Sequence, residues 1–369
     1  MSKLFRLSTL FKILTLICLC GLLLAYLTPF VHPNTLKILP FFGLAYPIIL
    51  SCTLIALVFW IFAKSRMVIL IVLVLLIGGK LHFRMFTLGS NESNLPSEEK
   101  ILHVMSYNVR LFDLFNNDIE LRNKNKDSIF AYIASQAPDI VCFQEFYHQD
   151  RPTSFTTRDS LVKLLETKDF HERYAHKLRG RQNFGVVIMS KYQMIARGDV
   201  MFNTQGDQDF NYCIFADIVK NQDTFRIYNV HLQSIKLQED DYSDFSDNAV
   251  KEEPKSMFRR VIDKLRIAYP KRADQARRVM EHVRTSPYPT IVCGDFNDTP
   301  MSYTYHQFSK VLIDSFRNTS MGIGSTYVGK VPAGRIDYIF HANDLRSSDF
   351  VIQETPYSDH RAISCKIFK

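Results

Sequence analysis

The first 90 residues carry eight Lys or Arg and no Asp or Glu, and most of the rest is apolar. A soluble domain needs charge of both signs on its surface, so a stretch this long without a carboxylate points first to lipid as its solvent. Three apolar runs divide it. Thr9 to Val31 is apolar apart from Thr9, Lys12, Thr15, Tyr26 and Thr28, the length of a membrane-crossing helix. Lys3 and Arg6 would also suit a secretory signal peptide, but LLAYLTPFVHP offers no small-x-small cleavage site and more apolar sequence follows, which favours an uncleaved anchor. Ile38 to Ala63 carries Pro40, Gly43 and Pro47, all tolerated in membrane helices, and stops at Lys64-Ser65-Arg66. Met67 to Gly79 is short and spans only if it continues through Leu81 and Phe83, with Lys80 and Arg84 reaching the interface.

The placement of Lys and Arg gives an orientation. Lys3 and Arg6 precede the first run, Lys64 and Arg66 follow the second, and the loop between holds only Lys37. Basic flanks stay cytoplasmic, so three spans put everything after about residue 86 outside the cytoplasm, in a plasma or inner membrane. If the third run does not cross, the remainder faces the cytoplasm. The same division removes a misleading signal. A net charge of +8 and a pI near 9.0 suggest a nucleic-acid partner, yet residues 91–369 hold 37 basic and 37 acidic residues.

The expected organisation is a membrane anchor over 1–86, a polar linker over 87–100 and one domain over 101–369. In that domain β-like runs recur at Leu102 to Val109, Ile140 to Phe143, Gly185 to Met189, Ile214 to Val219, Phe225 to Val230, Ile291 to Cys293, Arg335 to Phe340 and Ala362 to Phe368. Helical spacing falls between them: Ile129 and Ile133 before Pro138, Phe258 to Leu265, and Ala273 to Val283 after Pro270. Strands apolar on both faces, such as TIVCG, call for stacked sheets covered by helices. Cys142, Cys213, Cys293 and Cys365 sit inside apolar strands and no CxxC or Cys/His spacing occurs, which disfavours thiol chemistry and structural zinc.

Polar clusters end these strands: SYNVR with Asn108, FQE with Glu145, NVHLQS with Asn229 and His231, GDFNDTP with Asp295 and Asn297, and RIDYIF and SDHRA with Asp337, Asp359 and His360. Singly each is ordinary, since a carboxylate after a strand is usually a turn or cap residue and a lone His usually sits in the core or on the surface. Together, carboxylates, amides and imidazoles at strand ends have the composition of a hard-metal and general acid/base site. Oxygen donors with Asn suit Mg²⁺ or Mn²⁺, whereas zinc would call for more His or Cys.

In this order, SYNVR, QE, GVVIMSKY, NVHL, GDFND, RIDYI and SDHRA resemble the motif series of the endonuclease/exonuclease/phosphatase superfamily, deoxyribonuclease I-like proteins, over roughly residues 101–369. The resemblance implies an α/β fold, a four-layer sandwich of two packed β-sheets flanked by helices, and divalent-metal hydrolysis of a phosphoester. It further implies Glu145 as the main metal ligand, with Asn108 as a metal or phosphate contact and Asp359 as a second carboxylate near the metal. Asp295 is then the carboxylate that orients or deprotonates water, and Asn297 holds phosphate or that water. His360 contacts the scissile phosphate, Asp337 holds the other ring nitrogen of His360, and His231 contacts phosphate or protonates the leaving group.

Two stretches lie outside those motifs. Glu239, Asp240, Asp241, Asp244 and Asp247 form an acidic run, and nine basic residues between Lys255 and Arg278 face Asp263 and Asp274. Solvated helix faces are the plain reading; contact with anionic lipid head groups or a polyanionic substrate is the sharper one. The functional expectation is a membrane-anchored, Mg²⁺-dependent phosphoester hydrolase, a phosphodiesterase or nuclease. Its partners are a phosphoester substrate, nucleic acid or lipid head group, and membrane lipid, with no obligate protein partner. The neutral domain lacks the basic surplus that binding a phosphate backbone demands. A sphingomyelinase-like lipid phosphodiesterase is the alternative, from the tether and NVHLQ; a non-catalytic membrane interaction protein is the alternative of another class.

Overall fold

The computed structural model describes residues 2–89, 95–153, 155–178, 180–202, 211–235, 254–329 and 334–369. The acidic run from Glu239 to Asp247 and the Lys255 side chain lie outside them.

The N-terminal segment forms α1 (Ser2–Leu27), α2 (Leu39–Phe62), α3 (Met67–Ile77) and α4 (Gly79–Met85). α1 and α2 are an antiparallel hairpin: Phe11 meets Phe59 and Trp60, and the Trp60 indole donates to Thr15 Oγ1 at 3.0 Å. Both are long and apolar enough to cross a membrane. The third apolar run does not continue straight through Leu81 and Phe83 but bends by 68° between α3 and α4, and counts as a span only if the bent pair is taken as one. Gly78 lies at the bend, where a Cβ would come within 2.2 Å of the Tyr26 ring. The bend also carries His82 to the hydroxyls of Tyr26 and Tyr46.

Residues 101–369 build two six-stranded sheets, as their apolar runs require. One has the order β13 (Arg346–Ile352), β14 (Ile363–Phe368), β2 (Leu102–Asn108), β3 (Ile140–Gln149), β5 (Gln182–Ser190), β4 (Asp169–Leu178). The other has the order β10 (Ile313–Asp314), β12 (Asp337–His341), β9 (Thr290–Asp295), β8 (Asp223–His231), β7 (Tyr212–Lys220), β6 (Gln193–Val200). A two-residue strand β1 (Thr87–Leu88), within the stretch read as linker, pairs with β11 (Met321–Gly322). The sheets pack on each other through Val104, Ile140, Ile188, Ile214, Ile227 and Ile339. Helices α5 (Ile119–Gln136) and α6 (Thr157–Leu164) cover the first sheet, α7 (Pro254–Val283) and α8 (Tyr303–Ser309) the second, and a short α9 (Ser315–Thr319) closes one edge. This is the expected sandwich.

One correction concerns α7. Pro270 does not divide it into two helices but lies inside a single one. Leu265, Ala268, Tyr269, Ala273, Ala276, Val279 and Met280 are buried at helical spacing on both sides of the proline. A continuous apolar face outweighs one missing hydrogen bond.

The N-terminal helices are packed onto the rest of the chain. Met301, six residues after Asp295, is buried in one cluster with Leu22, Ala25 and Tyr46. A Cβ on Gly43 would come within 2.9 Å of the Met301 carbonyl oxygen. Phe30 meets His306, His32 meets Tyr303 and lies 3.4 Å from Asp274, and Phe41 meets Tyr269. Arg335, fully buried, pairs with Asp314 at 2.6 Å and donates to the Arg84 carbonyl at 2.9 Å.

Candidate active site

Strand register assembles the centre. β8 and β9 run parallel with His231 opposite Asp295, and β9 and β12 antiparallel with Asp337 opposite Asp295, so three charged or titratable groups lie abreast on one sheet end. In the facing sheet β2 ends at Asn108, and β3 runs parallel beside it with Gln144 opposite. The next residue, Glu145, sits in a register break of β3 between Phe143 and Phe146 at φ 47°. That bulge is how a strand re-aims one side chain.

The two halves meet through Asn108. Its Nδ2 donates to Asp295 Oδ2 at 3.0 Å and to Glu145 Oε1 at 3.4 Å. His231 Nε2 lies 3.8 Å from Asp295 and 3.9 Å from Glu145, and it is a buried nitrogen without a hydrogen-bond partner among the described residues. The other oxygen of Asp295 accepts the Asn297 backbone N–H at 2.8 Å, and the Asn297 amide donates to the Leu232 carbonyl. This turn needs Gly294, whose φ is 146° and whose Cβ would lie 1.9 Å from the Val230 carbonyl oxygen.

His360 bonds both oxygens of Asp337 through Nδ1 at 3.0 and 3.1 Å, and turns Nε2 toward Asp295 at 3.6 Å. Asp295, Asp337 and His360 are the one group of acidic and imidazole side chains, among the described residues, whose ligand atoms converge within 4.8 Å. The geometry is that of a relay rather than a metal cage, because both ring nitrogens of His360 already face carboxylates. Burial alone would lower the His360 pKa, but Asp337 and Asp295 outweigh it and hold the imidazolium well above the ordinary 6.5. Burial pushes the Asp295 carboxyl up, Asp337 adds to the shift, and the two histidines oppose it. His231 is pulled down to about 4, chiefly by burial, and is neutral near pH 7.

Asp359 sits one residue before His360, its carboxylate 3.8 Å from Arg110 Nε and 3.4 Å from the Ser358 hydroxyl, which also donates to the Asn108 carbonyl. Asn229, one of the polar strand-end residues, is no part of the centre. It is buried between the sheets, accepting from Gln144 at 2.7 Å and donating to the Phe143 and Val187 carbonyls.

Several neighbours gave no recognisable sequence signal. The Thr326 hydroxyl accepts the N–H groups of Ile336 and Asp337, and Tyr327 sets its ring 5.1 Å from that of His360. Arg110 to Asp113 run at positive φ, beginning two residues after Asn108. Arg272, counted with a solvated basic face, is buried, stacks on Tyr269 and donates to the Gln233 carbonyl at 2.6 Å. A pocket beside Glu145, Asn297 and His360 is walled by Arg272, Tyr269 and Leu265 from α7 and by Leu44 from α2.

The residues present fit a hard divalent cation. Two carboxylates, Glu145 and Asp295, crowd one amide and one unprotonated imidazole, and their oxygens are the donors such a cation prefers.

With fold and centre described, the comparisons are specific. The family model described as the endonuclease/exonuclease/phosphatase family matches residues 105–360, and the chain belongs to that family of phosphoester hydrolases. A second model, described as a domain of unknown function, matches residues 8–85. No curated protein sequence matches. Among solved structures, an endonuclease/exonuclease/phosphatase family protein from Leptotrichia buccalis is 16% identical with a TM-score of 0.52, covering 73% of this chain and 100% of that one. The human nocturnin catalytic domain with bound sulfate is 17% identical with a TM-score of 0.52, covering 74% of this chain and 96% of that one. A mannosyl-6-phosphatase from Bacteroides thetaiotaomicron is 16% identical with a TM-score of 0.50, covering 73% of this chain and 100% of that one. At such identities the likeness is one of fold.

Proposed function

We propose that this chain is a membrane-anchored, Mg²⁺-dependent phosphodiesterase whose catalytic domain lies outside the cytoplasm. The observation that carries the chemistry is the meeting of Asn108, Glu145, Asp295, His231 and the His360–Asp337 pair at one end of the two sheets. Glu145 and Asn108 would hold the cation, with Asp359 as the outer carboxylate, and Mn²⁺ could take the place of Mg²⁺. When bound, the cation supplies charge neutralisation for the phosphate. Asp295, fixed by Asn108 and by the Asn297 N–H, takes a proton from the attacking water; Asn297 positions that water or the phosphate. His360, kept protonated by Asp337, sets a positive charge against the phosphate oxygens. Neutral His231 offers its Nε2 to the phosphate or the leaving oxygen.

Hydrolysis of bis-para-nitrophenyl phosphate by the full-length protein in detergent tests this. Turnover with Mg²⁺ is expected, lost with EDTA and reduced at least about 100-fold in Asp295→Ala and His360→Ala. No turnover with any divalent metal would identify a non-catalytic interaction protein instead.

The orientation rests on the docking of the anchor. The α1–α2 turn, through Phe30 and His32, and the end of α4, through Arg84, meet the catalytic domain, while Lys64 and Arg66 lie at the opposite end of the α1–α2 hairpin. The catalytic domain and the α1–α2 turn therefore share a side, and the positive-inside rule puts the other side in the cytoplasm. Alkaline phosphatase fused after Lys369 is expected to be active and fused after Ser65 inactive. The reverse pattern would overturn the orientation.

A further inference from the structure

The pocket beside the candidate catalytic groups is not built by the catalytic domain alone. One wall is Leu44, half-buried and about 7.5 Å along α2 from Leu39, in a helix long and apolar enough to cross a membrane. Leu265 and Tyr269 share the apolar lining, and Glu145, Arg272, Asn297, Asp298 and His360 are among the polar lining. Phe41 packs its ring edge against Tyr269 at 5.6 Å, which fixes this end of α2 on α7. The wall also continues beyond the pocket. Ile48, one helical turn after Leu44 on the same face, is 69% exposed, and Ile55, two turns further, is 66% exposed. If α2 spans, that face is turned to acyl chains, so a largely apolar track, interrupted only by the Ser51 hydroxyl that donates to the Pro47 carbonyl, joins the hydrocarbon to the polar groups of the centre. A small polar ester would use only the polar part of this lining, whereas a ligand with a charged head and an apolar tail matches both its polar and its apolar residues.

We propose that the substrate is an amphiphilic phosphodiester, with its phosphate among Glu145, Asn297 and His360 and its hydrocarbon chain along the Leu44–Ile48–Ile55 face of α2. This rests on the catalytic reading above, and it makes the anchor a substrate-binding element as well as a tether.

The test uses the full-length protein in lipid nanodiscs and two diesters with one leaving group, methyl and dodecyl para-nitrophenyl phosphate. In both, the water oxygen bonds to phosphorus as the bond to para-nitrophenolate breaks, so they differ only in the chain. The dodecyl ester is expected to be preferred in kcat/KM. Because partition into the disc also favours it, the variants decide. Leu44→Asn and Ile48→Asn should each cut the preference at least about tenfold, the scale on which an apolar pocket discriminates, while Leu44→Met retains it. Para-nitrophenol release from the methyl ester reports whether each variant is folded, and Ile48→Asn, away from the packed junction, covers a failure of Leu44→Asn to fold. An equal rate on both esters, or a preference unchanged in the folded variants, overturns the proposal. If neither ester nor bis-para-nitrophenyl phosphate is cut with any metal, the catalytic reading itself has failed, which is a different result.

Discussion

Glu145 reaches the centre because β3 breaks register at that residue, and Asn297 turns back on Asp295 because it adopts φ 55° after a glycine at φ 146°. At this scale the most informative pair is His360 and Asp337. The carboxylate takes both its bonds from one ring nitrogen, which fixes the imidazole plane and keeps its charge. Asp337→Asn preserves shape but removes the charge and lets the amide mispair with the ring. A fall in kcat of about 10²- to 10⁴-fold is expected, with an unchanged circular dichroism spectrum. Retention of more than half the activity would show that the pair does not orient His360.

At the scale of elements, the strands that escape sequence reading have one property in common. β4 and β13 are the outer strands of one sheet, and β6 and β10 those of the other. An edge strand pairs on one side only and carries polar residues against unwanted association, so DFHERYAHKL and QMIARGDV lack the apolar signature of the central strands. Helix α8, which carries no helical signal in the sequence reading, is fixed by contacts at a junction. His306 on α8 meets Arg84 at 3.1 Å and Phe30 in the anchor. Burial, aided by Arg84 and Lys310, pulls its pKa down to about 4 from 6.5. The unfolded chain then binds the proton first, so stability is full above about 6.5 and falls as the pH drops toward about 4. Thermal unfolding in detergent between those pH values should show a steeper loss for wild type than for His306→Gln; identical slopes would remove His306 from the junction's energetics.

At the scale of the molecule, the N-terminal helices and the hydrolase-family domain share a core. Met301 is fully buried against α1 and α2, and Arg335, two residues from Asp337, ties the α4 carbonyl to Asp314. A chain beginning at residue 101 would expose Met301 and leave the Arg84 bond unmade. It should aggregate or lose several degrees of Tm relative to the full-length protein, measured by size-exclusion chromatography and thermal scanning. A monodisperse truncated domain of equal Tm would show that the docking adds nothing to stability. The same junction brings Leu44 of the apolar N-terminal segment into the lining of the pocket beside the candidate catalytic groups.

Much was legible before any fold was known. An acid-free apolar quarter, central strands apolar on both faces and polar motifs at their ends follow from local composition and spacing, because burial and lipid contact act on each residue type directly. The same motifs named Asn108, Glu145, Asp295, Asn297, Asp337 and His360, which the two sheets bring to one end. Other features depend on contacts between residues far apart in the chain and leave no periodic trace. These are the bend at Gly78, the unbroken α7, the inward turn of Arg272, the removal of Asn229 from the centre and the arrival of Leu44 in the pocket that His360 also lines. Each was decided where helices and sheets close against one another, since packing, not propensity, chooses which surface a side chain meets.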